Sequence, residues 1–217
     1  MATPTGAAIF RHLVKSLSTF VALALSSALA SAHPADPAPA KSATSATPSP
    51  TPEPAAAIVA AEYEVKAEYL YNFGKFVSWP QEALTTEDPL VICVVGKDPF
   101  GAVLDETVRG KTVQERPLEV RRLATTERVR ECHILFVPAA EEPRLPQIRR
   151  NLEGANVLTV GETEEFVRKG GGAIALLTRG QKVRFEVNLR SARNAGLELS
   201  SQLLKLASAV LEEDGSH

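Results

Sequence analysis

The sequence predicts an α/β fold: a single domain on a mostly parallel sheet flanked by helices, with a C-terminal antiparallel hairpin. Three observations predict it. Two short runs, LVICVVG (residues 90–96) and HILFVP (133–138), are apolar without interruption, as strands covered on both faces are. Segments with helical spacing alternate with these and other β-rich runs, and that alternation builds parallel sheets with helices packed on them. GAIALLTRGQKVRFEVNL then reads as two strands around a turn at Arg179 and Gly180.

The elements follow in order. VKAEYLYNFGKFVSW, residues 65–79, is read as a helix that ends at Trp79, because the residue before Pro80 is pushed out of the α region. The stretch 68–80 holds five aromatic residues, Tyr69, Tyr71, Phe73, Phe76 and Trp79, in a chain that is 6% aromatic. At 100° per residue, Val65, Tyr69, Leu70, Phe73, Phe76 and Val77 fall within an arc of about 140°, so they are assigned to the core. Glu64, Glu68, Tyr71, Lys75 and Ser78 fall opposite, and Tyr71 is therefore expected to face away from the core. After the first apolar strand come a helix in DPFGAVLDETVRG, an alternating, more exposed strand PLEVRRL and the second apolar strand. LPQIRRNLEG and TEEFVRKGG, on either side of a strand NVLTVG, have helical spacing and close on glycine as a C-cap does. Ser191 is read as a helix cap and Gly196 as a stop. A last helix is expected from about Ser200, with Leu199, Leu203, Leu206, Ala207 and Val210 along one face.

The ends of the chain read differently. Arg11, His12 and Lys15 precede an apolar, small-residue run at 17–30, and Ala30-Ser31-Ala32 offers a cleavage site, so residues 1–32 are expected to be a signal peptide cleaved after Ala32. An uncleaved anchor is the alternative, but the run falls short of the ~20 residues that span a bilayer. Residues 33–57 are almost wholly Pro, Ala, Ser and Thr, a composition with nothing to bury, and are read as a disordered linker, either a tether or a tolerated tail. The folded domain is then 58–213. Across 217 residues, 24 Lys and Arg nearly balance 26 Asp and Glu, so no overall field favours nucleic acid.

Two cysteines in an exported chain are expected to pair, so Cys93 and Cys132 are assigned a disulfide; free buried thiols too far apart to bridge are the alternative. In KVRFEVNLR, Val183, Phe185, Val187 and Leu189 are expected to pack inward. Arg184, Glu186, Asn188 and Arg190 then form a polar face, either solvated or a binding surface.

VKAEYLYNFGKFVSWP, ICVVGKDPFG, CHILFVPAAE, VLTVGETEEFVRKGGGAIALL and KVRFEVNLRSARNAGLELSSQLLKLA, in that order, resemble the YfiR-like family of small exported bacterial proteins. The resemblance covers residues 58–209. It implies a periplasmic regulator without catalysis of its own, which binds the periplasmic sensor domain of an inner-membrane protein, characteristically a diguanylate cyclase, and so lowers cyclic di-GMP and biofilm output.

Catalytic motifs are missing from the sequence itself. GKDPFG and GKT lack the lysine, hydroxyl or glycine positions of a phosphate-binding loop, and neither G-x-S-x-G nor a G-x-G-x-x-G after a strand occurs. HILFVP ends without the aspartate of a phospho-receiver. After residue 32 only His33, His133 and His217 remain, too few and too scattered for a metal cluster or a triad, so no enzyme, metal or cofactor is expected. Two functions stay open. In one, Glu64, Glu68, Tyr71 and Lys75 form a surface for a partner or a homodimer. In the other, a crevice at 96–100 and 138–141 takes a small molecule.

Overall fold

The computed structural model describes residues 54–84 and 88–212, with side chains from residue 57 onward. The segment read as a signal peptide and most of the linker lie outside the described residues. Helix α1 (Pro54–Phe76) starts inside the stretch read as linker. It is followed by β1 (Val77–Ser78), β2 (Leu90–Val95), α2 (Ala102–Val108), β3 (Thr112–Val113), β4 (Arg116–Leu123) and β5 (Ile134–Phe136). Then come α3 (Leu145–Asn151), β6 (Leu158–Gly161), α4 (Glu164–Arg168), β7 (Ile174–Arg179), β8 (Lys182–Asn188), α5 (Leu189–Asn194), β9 (Glu198–Leu199), α6 (Ser201–Leu206) and β10 (Ala209–Leu211).

Eight strands form one sheet in the order β10-β8-β7-β6-β5-β2-β4-β3, while β1 pairs with β9 separately. The pairs from β4 through β2, β5 and β6 to β7 are parallel, and β7 with β8 is the antiparallel hairpin the sequence predicts. The apolar run of β2 is explained by its two faces. Leu90, Ile92 and Val94 join the core under α1 and α2, whereas Val91, Cys93 and Val95 join the one under α3 and α4. Cys93, in β2, and Cys132, just ahead of β5, form a disulfide with Cα atoms 5.8 Å apart. Closing a loop over a separation of 39 residues lowers unfolded-chain entropy by about 4 kcal/mol in the loop-closure account.

Four sequence expectations are corrected. Tyr71 does not face away: it is 9% exposed and belongs to the core cluster. A helical wheel assigns one buried arc, but α1 is covered on a second flank, where α2 packs and where Val113 of β3 lies against Gly74. The last helix stops at Leu206, and Ala207 turns extended. Ser208 donates from both its amide and its hydroxyl to the Phe185 carbonyl, at 2.8 Å each, and β10 then pairs in parallel with β8. The open edge of β8 has backbone groups to satisfy, and this outweighs the helical spacing of Val210. Ser191 is not a cap; Asn188 Oδ1 accepts from the Ser191 amide and caps α5 (3.0 Å). Nor is the polar side of β8 open, because α4 lies over it: Glu186 is 5% exposed and is held by Arg168 at 3.0 Å.

The tight turn of β3 and β4 gave no sequence signal. Gln114 and Glu115 both take positive φ, 51° and 66°, where two-residue hairpin turns prefer Asn and Gly. Gln114 reaches back to the Val77 carbonyl at 3.4 Å and ties the turn to the end of α1.

His133 is built into the backbone. Its Nδ1 accepts the Val91 amide at 2.9 Å, which leaves the proton on Nε2, 3.2 Å from the Ala83 carbonyl it donates to. Burial holds its pKa below the ordinary value of 6.5, helped by the Arg116 and Arg121 charges and opposed by the Ala83 hydrogen bond and Asp88. A folded pKa below the unfolded one means that the neutral ring contributes stability above about pH 6.5, lost as pH falls through the folded value.

Two outcomes are expected. Tyr71→Ala lowers stability by about 2–4 kcal/mol and Phe73→Ala by about 3–5 kcal/mol in urea titrations, because both leave core cavities; a Tyr71 loss within about 0.5 kcal/mol marks a surface residue instead. Thermal melts between about pH 7 and pH 5 show a steeper fall for the parent than for His133→Asn, which has no ring to protonate. Parallel curves remove His133 as the cause.

Candidate functional site

Doubly wound sheets place ligands outside the C-terminal ends of their strands, where the strand order reverses. Here that point lies between β2 and β5, since β4 is on one side of β2 and β5 to β7 continue on the other. The chain's own side chains occupy it. Gly96 follows β2 at φ +73°, and the Glu141 carboxylate lies so close over it that a Cβ there would overlap it. Arg144 holds that carboxylate at 2.8 Å. Phe100 is buried edge-on against Phe136 and Tyr63, with ring centres 4.8 and 5.2 Å away. Arg122, at the end of β4, forks onto Asp98 (2.9 Å), Asp105 and the Gly101 carbonyl (2.8 Å). These bonds hold the Asp105 carboxyl below the usual carboxylate range and keep Arg122 cationic.

The third clamp on this edge centres on Lys66, which is 3% exposed. Its ammonium lies 2.6 Å from Glu62 on its own helix and 2.6 Å from Glu162, just beyond β6. Burial opposes the charge on Glu62, but hydrogen bonds from Lys66 and Thr178 outweigh it and hold the pKa low. Glu162 also accepts from the Tyr63 hydroxyl at 3.1 Å and the Ala139 amide at 2.8 Å. Burial first, and then the Glu162 charge, push the Tyr63 pKa far up, so its hydroxyl stays a donor. The crevice at 96–100 and 138–141 is thus filled and braced.

The residues nominated on α1 are brought together, though as a self-contained cluster. The ammonium groups of Lys75 and Lys111 lie over the Tyr71 ring, 3.9 and 4.4 Å from its centre. Lys111 also reaches Glu68 at 3.3 Å, and Lys75 donates to Asn72 at 3.4 Å. Glu64 and Lys75 are exposed, Glu68 is half-buried and Tyr71 is hidden. One turn earlier, the exposed large apolar side chains among the described residues are Ile58 (62%) and Val59 (51%), continued by exposed Ala60 and Ala61.

The residues nominated on β8 do not form one row. Arg184 and Arg190 are exposed, whereas Glu186 is paired beneath α4 and Asn188 is spent capping α5 and donating to the Val167 carbonyl at 2.8 Å. Cys93 and Cys132 are buried in the core under α3 and α4. Sequence reasoning missed Lys66, Glu62 and Glu162. The Glu62 and Lys66 pair at i, i+4 is visible in the sequence, but such spacing describes ordinary surface pairs and says nothing of burial. Among the described residues, no group of three His, Cys, Asp or Glu is placed to hold a metal ion, and no helix is long and apolar enough to cross a membrane.

Two solved structures are similar to part of this chain. One is the ABC domain in complex with L-Trp from Streptococcus pneumonia, at 12% identity and a TM-score of 0.43, covering 70% of this chain and 60% of that one. The other is a conserved domain protein from Vibrio cholerae O1 biovar El Tor, at 10% identity and a TM-score of 0.47, covering 69% and 60%. The chain thus spans about three fifths of the length of each. The profile of the YfiR/HmsC-like family matches residues 63–208, from the third turn of α1 to the residue before β10, and the chain belongs to that family.

Proposed function

We propose that the protein is an exported, non-enzymatic regulator that binds the periplasmic sensor domain of an inner-membrane signalling protein, a diguanylate cyclase, and holds its output down. The reading rests on the family and on its implied place in cyclic di-GMP and biofilm control. Two features agree with it. A disulfide persists in an oxidising compartment such as the periplasm, which fits residues 1–32 acting as a cleaved signal peptide. The sheet edge where an α/β enzyme keeps its site is filled by side chains clamped to one another, which leaves the outer surface for recognition.

The observation that carries the site is the exposed apolar patch at the start of α1, Ile58 to Ala61, beside exposed Glu64. Exposed apolar surface rimmed by polar residues marks protein interfaces. At 100° per residue Ile58 and Val59 continue the arc of Tyr69 and Leu70 and not the side of Glu64, Glu68, Tyr71 and Lys75, so the surface is the start of the helix itself. The same face serves a second copy of the chain in a homodimer.

The mature protein co-elutes with the purified periplasmic sensor domain of its cyclase in size-exclusion chromatography. Ile58→Asp with Val59→Asp abolishes co-elution while leaving stability within about 0.5 kcal/mol, as expected of exposed sites. Co-elution retained by the variant removes this face from the account, and a parent that does not co-elute removes the regulator reading.

A further inference from the structure

An open groove of about 600 Å³ lies at the opposite end of the sheet from the charge clamps, where β6 and β7 begin. Its walls are the C-terminal ends of α3 and α4 and the length of α5. Four lining side chains are cationic, Arg149, Arg168, Lys169 and Arg190, against one acid, Glu153, in a chain whose formal net charge is −2.

Helix ends account for part of this. Arg149, Arg168 and Lys169 sit at or just past the last turns of α3 and α4, where carbonyl groups favour a cation. That argument does not cover Arg190, which lies in the first turn of α5 and completes the basic rim. Glu186 already neutralises Arg168 at 3.0 Å, but Arg149 and Lys169 have no acidic partner among the described residues. Arg149 is also positioned. Gly171, at φ +71°, leaves room for its guanidinium, which would stand 3.2 Å from a Cβ there, so the side chain lies along the wall. Arg149 and Lys169, which line the same groove, repel one another, and an anion between them relieves that repulsion.

We propose that this groove binds a small phosphorylated molecule. The phosphate would lie between Arg149 and Lys169, and the neutral body against Leu152 and Val157 on the groove's apolar lining. Arg suits a phosphate by its planar fork, Lys by its point charge, and the volume is that of a small-molecule site. The proposal goes beyond the regulator reading and does not rest on it, because binding is measured without a partner.

The test uses the full mature chain at fixed ionic strength, with inorganic pyrophosphate, 5′-AMP and adenosine as probes in calorimetry and thermal melts. Pyrophosphate and AMP are expected to bind saturably and raise Tm, and adenosine is not. Arg149→Ala with Lys169→Ala weakens the Kd by about tenfold or more, the scale of lost charge-assisted hydrogen bonds. Lys97→Ala with Arg109→Ala, which removes two exposed cations outside the groove, leaves the Kd unchanged. Absence of saturable binding by the parent, or equal weakening in both variants, overturns the proposal; the second result is diffuse attraction to positive charge.

Discussion

Lys66 is the fixed point on which the arrangement of this domain depends. An ammonium with 3% of its surface exposed is tolerable only when paired and hydrogen-bonded, and here it lies between Glu62 and Glu162 at 2.6 Å each. Glu62 belongs to α1 and is also held by Thr178 of β7; Glu162 follows β6 and also receives the Ala139 amide. One charge therefore ties the long helix to two strands and to the loop after β5. Apolar contacts bring α1 to the sheet but would tolerate sliding, because burial is not directional. The ion cluster sets where along the sheet it stops.

That placement sorts the surfaces. With α1 fixed along the sheet, Tyr63 and Phe100 close over the crevice, Glu141 covers Gly96 and Arg122 braces the loop beyond. The same helix is gripped on a second flank by α2 and β3, which buries Tyr71 and leaves the first turns as the apolar exposed part. On the other face of the sheet, the Cys93–Cys132 bridge fixes the approach to β5 against β2 independently of the helix. The two braces thus act on opposite faces of the sheet.

What the sequence revealed was what local chemistry decides. The strands β2, β5 and β6 and the β7–β8 hairpin follow from apolar runs, alternation and turn residues, each a signal contained in a few positions. The Cys93–Cys132 pairing follows from the expectation that the chain is exported. The misses share one cause, in that each depends on a neighbour far along the chain. Tyr71 is buried because α2 and β3 come back over α1. Val210 is in a strand because β8 has an open edge, and Glu186 is hidden because Arg168 of α4 reaches over it. Lys66 is the plainest case. Its partner Glu162 lies 96 residues away, and nothing near Lys66 distinguishes it from an exposed lysine.

The most direct test is a double-mutant cycle on Lys66 and Glu162, read as unfolding free energy. Lys66→Met removes the counter-charge from two half-buried carboxylates and is expected to cost about 3–5 kcal/mol. Adding Glu162→Gln removes one of those charges, so the double variant should recover part of the loss, with a coupling energy of about 1–3 kcal/mol. Losses that simply add would contradict the account, because Lys66 and Glu162 would then be neighbours rather than the lock that positions α1.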